Sequence, residues 1–434
     1  MVHALGQLSL ISGWLPVVII VAGALALGWL LLRRDRRHLL RTVPVVVAAA
    51  LLLTIGLRYV VENVWRPFPD ALPLPIYASV GVGVLGVLLT GPRLWHARSW
   101  RSRGLTVLTV LVVVLAASAQ VNHFFRAYPT VAAAIGKAPT NEVPFSSIPG
   151  PQTGAVSGTP LSSVWKAPVG MPSAGEITAV SIPATESGFT ARPARVYLPP
   201  AYLASPRPVL PVLVLLAGQP GAPDDWVTFG GVIALLDGYA AAHHGLTPVV
   251  VMADATGSVL ANPLCLDSNL GKVQTYLSMD VPAWVKANLQ VNQDAASWAV
   301  AGSSYGGTCA LQLAVNHPEV FPNFVDISGQ SAPTLGDAQR TIDAAFGGDG
   351  AKFAAVNPLD LMVANRYPGL AGAFTVGSTD GQYRPQQEQV FAAARGAGMS
   401  VHFTEVPGGH DWGGWRAGLQ ATIDFIGARL GITA

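Results

Sequence analysis

Gly302-Ser303-Ser304-Tyr305-Gly306 places a serine hydroxyl between glycines two residues before and two after it, the G-x-S-x-G spacing of a nucleophile elbow. Small residues are needed there because the chain turns from strand to helix so tightly that side chains at Gly302 and Gly306 would collide. In a chain with 46 glycines such a match arises easily by chance, so its setting decides its meaning. Trp298-Ala-Val-Ala301 before it has the composition of a buried strand, and Thr308-Cys-Ala-Leu-Gln-Leu-Ala-Val315 after it that of a helix. That is the context the motif requires. Outside it, Ser304 would be an inert residue in an ordinary turn.

A serine hydroxyl is a weak nucleophile at neutral pH and needs a base that a third group orients. Of the nine histidines, His410 in Pro407-Gly-Gly-His-Asp-Trp412 is the best placed, on a loop between the last predicted strand and an amphipathic helix. His3, His38, His96 and His123 fall in the apolar N-terminal part, while His243, His244, His317 and His402 fall on predicted helices or strands. The orienting acid belongs between serine and histidine in chain order, after the penultimate strand. Asp380, in Phe374-Thr-Val-Gly-Ser-Thr-Asp-Gly381, meets both conditions. Asp326, one strand earlier, is the rival, and Asp411 is too near His410 in the chain to orient its ring easily.

Acyl transfer also needs donors aimed at the developing oxyanion, normally the backbone N–H after the nucleophile and one from the loop after an earlier strand. Tyr305 supplies the first and Gln219, in Leu215-Leu-Ala-Gly-Gln-Pro-Gly221, is the candidate for the second. Their side chains are then left to shape an acyl pocket. No His-rich ligand spacing is present, so neither a metal nor another cofactor is expected.

The elements that must position these groups read as alternating strands and helices. Strands are predicted near Ile177–Ile182, Ala194–Leu198, Val209–Leu216, Pro248–Ala253, Ser297–Ala301, Phe324–Ser328, Ala373–Gly377 and Val401–Val406, with helices including Val232–His243, Asp280–Leu289, Thr308–Asn316 and Pro385–Ala397. Such alternation implies a mostly parallel sheet with helices on both faces. Chemistry in such sheets gathers at the carboxyl ends of the strands.

The N-terminal part is of another kind. Charged residues are only 12% of the chain, against about 25% in ordinary soluble domains, and four apolar runs account for the deficit: Gly13–Leu32, Val43–Val61, Leu74–Leu89 and Leu105–Val121. Each is near the roughly 20 residues that cross about 30 Å of hydrocarbon. Arg33, Arg34, Arg36, Arg37 and Arg41 lie between the first and second runs and Arg93, Arg98, Arg101 and Arg103 between the third and fourth, whereas Glu62–Pro73 holds only Arg66. The positive-inside rule makes the Arg-rich loops cytoplasmic and puts everything beyond residue 122 outside. No acid or histidine within the runs suggests a proton path, and Arg58 is close enough to an end to snorkel. An anchor is expected, not a transporter.

Three segments follow: a four-helix transmembrane domain over 1–127, a Pro/Ser/Gly-rich extracytoplasmic linker over 128–175, which includes Pro139-Thr-Asn-Glu-Val-Pro144, and a catalytic domain over 176–434. The linker composition reads as an extended tether. The net charge of +2 and the placement of the basic clusters argue against a nucleic-acid partner. Outside the cytoplasm Cys265 and Cys309, the two cysteines, are expected to pair and brace the helix after Ser304; two buried thiols are the alternative.

Several blocks resemble the putative-esterase branch of the α/β hydrolases, which contains S-formylglutathione hydrolases and antigen 85 mycoloyltransferases. They are Asp280-Val-Pro-Ala-Trp-Val-Lys-Ala-Asn-Leu-Gln-Val291, the elbow, His317-Pro-Glu-Val-Phe321, Gly408-Gly-His-Asp-Trp-Gly-Gly-Trp415 and Asp224-Asp-Trp226. The likeness spans about residues 190 to 430 and leaves the four-span anchor unaccounted for. It implies an α/β-hydrolase fold and a serine esterase acting on acyl, lipid or envelope esters through an acyl-enzyme. In the antigen 85 pattern an aspartate that helps hold trehalose precedes the oxyanion-loop glycine, where this chain has Ala217. That departure favours hydrolysis over transfer to trehalose. The other readings are an envelope acyltransferase and a catalytically inactive tethered binding module. The acyl chain, the alcohol and the oligomeric state are left open by the sequence.

Overall fold

A computed structural model describes residues 5–33, 35–136 and 141–434. His3, Arg34, Pro139 and Thr140, singled out above, lie outside the described residues. The chain divides into two compact units, Met1–Lys137 and Ala138–Ala434.

The first unit holds four helices long and apolar enough to cross a membrane: α1 Trp14–Leu31, α2 His38–Trp65, α3 Leu74–Trp95 and α4 Trp100–Phe125. Three run longer than the apolar runs suggested, because polar residues at their ends find partners on the helix surface. In α2, Glu62, expected in a loop, is one turn beyond Arg58 and accepts its Nε at 2.9 Å. In α3, Arg93 donates to the Leu30 carbonyl at 3.1 Å and the Leu32 carbonyl at 2.7 Å. It thereby serves carbonyls that the end of α1 leaves without intrahelical partners.

The second unit is built on an eight-stranded sheet. Its strands are β1 Glu176–Val180, β2 Ala194–Leu198, β3 Val212–Leu216, β4 Val249–Met252, β5 Trp298–Ser303, β6 Asn323–Ile327, β7 Ala371–Gly377 and β8 Ser400–Val406. They lie in the order β1-β2-β4-β3-β5-β6-β7-β8. Pairing is parallel from β4 through β8, and β2 runs antiparallel to both its neighbours. Every residue of β3, β5, β6 and β7 is buried, which is why these strands read as continuous apolar runs without alternation. Covering helices include α5 Val232–Ala242, α6 Val281–Asn288, α7 Tyr305–Asn316, α8 Arg384–Gly396 and α9 Trp412–Arg429. Three short helices, Ala338–Phe346, Gly350–Ala354 and Pro358–Ala364, stand between β6 and β7.

The segment expected to be an extended tether is fastened to the second unit from Asn141 onward. Glu142 forms a two-pronged ion pair with Arg195 at 2.7 and 2.9 Å. Arg207, fully buried, donates to the carbonyls of Pro149 and Gly150, and the Trp165 indole donates to the His244 carbonyl at 3.0 Å. A Pro- and Ser-rich stretch cannot build a core of its own, but these contacts let it lie along one that already exists.

Candidate active site

The three groups nominated for a triad come together at the carboxyl end of the sheet. Ser304 directly follows β5, Asp380 stands three residues beyond β7, and His410 four beyond β8. His410 Nε2 lies 2.8 Å from Ser304 Oγ, and Nδ1 lies 3.0 Å from Asp380 Oδ2.

Local sterics explain the serine's position. Ser304 has φ 54° and ψ −120°, a conformation that costs a residue other than glycine about 1–3 kcal/mol and survives only where the surroundings impose it. The Ser304 N–H is held by the Ile327 carbonyl at 2.8 Å. A Cβ on Gly306 would stand 2.5 Å from the Leu216 carbonyl oxygen, and one on Gly302 would fall on the Gly306 carbonyl. Both glycines are therefore obligatory for this turn.

Asp380 is buried, with Oδ1 accepting from the Tyr383 N–H at 3.3 Å. The rival Asp326 is also buried, but its Oδ1 accepts from the Gly329 N–H at 2.8 Å and its other neighbour is the Gln387 amide. Burial pushes its carboxyl up to about 7. Asp411 caps α9, accepting from the N–H groups of Gly413 at 2.6 Å and Gly414 at 3.0 Å. It holds the histidine loop instead of the ring.

The loop carrying Gln219 lies against the nucleophile: a Cβ on Gly218 would be 3.4 Å from Ser304 Cβ and 4.0 Å from Oγ. The Tyr305 N–H, at the first position of α7, has no acceptor within its own helix. The side chains behave differently from expectation. Gln219 turns its amide to the Leu260 carbonyl at 2.9 Å. Tyr305 is buried, donates to the Ala255 carbonyl at 2.9 Å and accepts from the Cys265 N–H at 3.0 Å. It ties the elbow to the loop after β4. Cys265 and Cys309 are joined in a disulfide that links the same loop to α7.

Behind the oxyanion loop, Asp225 accepts from the Ala222 N–H at 2.9 Å, and burial raises its carboxyl to about 6. Trp226 donates to the Leu216 carbonyl at 2.9 Å. Arg192 forms a pair with the buried Asp254 through Nε at 2.9 Å and Nη2 at 2.7 Å, which together with the Arg192 backbone N–H holds the Asp254 carboxyl below the usual range against burial, which pushes it up.

Two aromatic groups beside the histidine had no role in the sequence reading. Tyr383 stacks on the His410 ring with centroids 3.6 Å apart, and Trp415 meets it edge-on at 5.2 Å. Trp415 lies in a quoted motif block, but Tyr383 carries no spacing signal of its own. Its approach depends on where α8 starts.

Residues 189–426 match the family described as "Putative esterase". An uncharacterized protein of Corynebacterium glutamicum is 38% identical over 432 residues, covering 96% of each chain. Among solved structures, an S-formylglutathione hydrolase from Agrobacterium tumefaciens superposes with a TM-score of 0.50 at 17% identity, covering 60% of this chain and 97% of its own. The MPT51 protein of Mycobacterium tuberculosis gives a TM-score of 0.43 at 19% identity, covering 58% of this chain and 98% of its own.

Proposed function

Because the chain belongs to the putative-esterase family of α/β hydrolases, we propose that it is a serine esterase anchored in the cell membrane, with its catalytic domain outside the cytoplasm. The observation that carries this is the Ser304–His410–Asp380 alignment, at 2.8 and 3.0 Å. Ser304 Oγ attacks the ester carbonyl while His410 Nε2 takes its proton. Asp380 keeps the proton of the imidazole on Nδ1 and stabilises the imidazolium. The N–H groups of Tyr305 and Gln219 receive the oxyanion. The C–O bond then breaks, the alcohol leaves with the proton from His410, and a water activated by the same nitrogen releases the acid from the acyl-enzyme.

Four helices of membrane-spanning length and composition support the anchor. The arginines between α1 and α2 and between α3 and α4 support an orientation that leaves residues beyond 122 outside. The division into anchor over 1–127, connecting segment over 128–175 and catalytic domain from 176 belongs to the same proposal. Confinement to a membrane raises the local concentration of lipid-borne esters and does nothing for soluble ones, so lipid or other envelope acyl esters are the substrates this design serves. Ala217 supplies no carboxylate for a sugar acceptor, which supports water as the acceptor.

The experiment gives the detergent-purified protein an acyl donor with and without trehalose and follows the products. Free acid in both cases is the expected result, and acyl-trehalose as the main product would replace the esterase with a transferase. An enzyme reporter fused after Ala434 should report an extracytoplasmic end; a cytoplasmic signal would overturn the orientation.

A further inference from the structure

Resting on that triad, we propose that Tyr383 is a positioning residue that fixes the plane of the His410 imidazole. The two rings lie 12° from parallel with centroids 3.6 Å apart. On the other side Trp415 stands at 88° to the imidazole, with its own ring backed by Trp412 at 5.0 Å. Hydrogen bonds at Nδ1 and Nε2 set the direction of the ring in its plane, and rotation about the line joining those bonds is restrained further, beyond the side-chain torsions, by what packs on the faces. Tyr383 and Trp415 supply that limit.

The same residue serves the acid through its backbone. Its N–H donates to Asp380 Oδ1 at 3.3 Å, leaving Oδ2 for His410. As the residue preceding α8, Tyr383 thus touches both partners of the nucleophile.

The electrostatics point the same way. When the Ser304 proton arrives at Nε2 the imidazole becomes a cation, and the π face of a phenol ring attracts a cation that it barely distinguished from its surroundings before. An interaction that strengthens only as the transition state forms raises kcat and leaves KM nearly unchanged. Of the charged groups on the elements around His410, Asp380 accepts from Nδ1 and Asp411 is engaged by the N–H groups of Gly409, Gly413 and Gly414. Arg384 pairs with Glu405, and Arg416 donates to the Phe229 carbonyl.

The test uses the full chain in detergent, with p-nitrophenyl butyrate turnover and the rate of fluorophosphonate labelling as parallel readouts. In Tyr383→Leu, kcat and the labelling rate fall roughly 10-fold. KM stays within about twofold of the parent. Tyr383→Phe, which keeps a π face, recovers most of kcat and of the labelling rate. Tyr383→Met takes the place of the leucine variant if that protein does not fold. Parental kcat and labelling rate in the leucine or methionine variant would overturn the proposal, as would a phenylalanine variant as impaired as they are. Activity that survives Ser304→Ala would sink the triad itself, whereas activity lost there and kept in Tyr383→Leu sinks only the role of Tyr383.

Discussion

The two units use the same residue types in opposite ways. In the first, Leu25, Leu52 and Leu111 point outward from helices that bury few of their residues. In the second, Val212–Leu216 and Trp298–Ser303 are buried throughout. Leucine and valine are indifferent to which arrangement they take; the surrounding medium decides. Where hydrocarbon surrounds a helix, exposed apolar side chains are satisfied, and where water does, they must go inside. The difference also separates labour, because the groups that could carry chemistry lie in the second unit and the first offers a means of confinement.

The largest effect that separation predicts is catalytic. His410→Ala should lower kcat about 10⁶-fold while the protein still fractionates with membranes. An equal loss of membrane association would tie the units together and break the comparison.

Next comes the bridge from Cys265 to Cys309, which closes 44 residues of the second unit. Cys309→Ser should destabilise that unit by up to about 4 kcal/mol, read as a lower melting midpoint of the catalytic domain with the helical signal of the first unit unchanged. Two thiols titrating in denatured, unreduced protein would remove the premise.

A pair of substitutions compares the media directly. Leu52 in α2 is 70% exposed and Val363 in the second unit 86% exposed. Leu52→Lys should cost about 2.5–3.5 kcal/mol of insertion, seen as a reduced membrane fraction, and Val363→Lys should stay within about 0.5 kcal/mol in thermal unfolding. Equal effects would mean that α2 is not surrounded by lipid.

The smallest effect concerns Asp326, whose carboxyl burial pushes up to about 7. A folded value above the unfolded one of about 3.9 means that the native state holds the proton more tightly. Its contribution is full below about pH 4, declines as pH rises towards 7 and is flat above. Asp326→Asn, neutral throughout, should match the parent near pH 4 and be the more stable of the two at pH 8. A parent with no decline between these limits would contradict the assignment.

Much of this was legible in the sequence, and the residues show why. The central strands β3, β4 and β5 were readable because strands buried on both faces write nearly unbroken runs of Val, Leu and Ala, and the edge strands β1 and β8 were readable from their β-branched residues. Their order was not, since nothing local says that β4 falls between β2 and β3 or that β2 runs against its neighbours. Ser304, Asp380 and His410 could be nominated from chain order and position after strands, whereas Tyr383 could not, because its stacking depends on how α8 meets a loop 27 residues further along the chain (from Tyr383 to His410). The phenol of Tyr305 was misjudged for a related reason: a residue beside a nucleophile looks like a pocket wall until the carbonyl of Ala255 is seen to claim it. The connecting segment was misjudged because composition reports that it has no core, and is silent about the core of its neighbour that it borrows through Arg207 and Trp165. The ends of α2 and α3 were cut short because Glu62 and Arg93 look like loop residues when their partners are unseen.

The central claim is that Ser304 is a nucleophile activated by His410. Reaction of the full-length protein with a fluorophosphonate probe, followed by mass spectrometry of the modified peptide, tests it most directly. A single adduct on Ser304, absent in Ser304→Ala and strongly slowed in His410→Ala, is the predicted result; labelling that persists in Ser304→Ala, or no adduct on the folded parent protein, would contradict it.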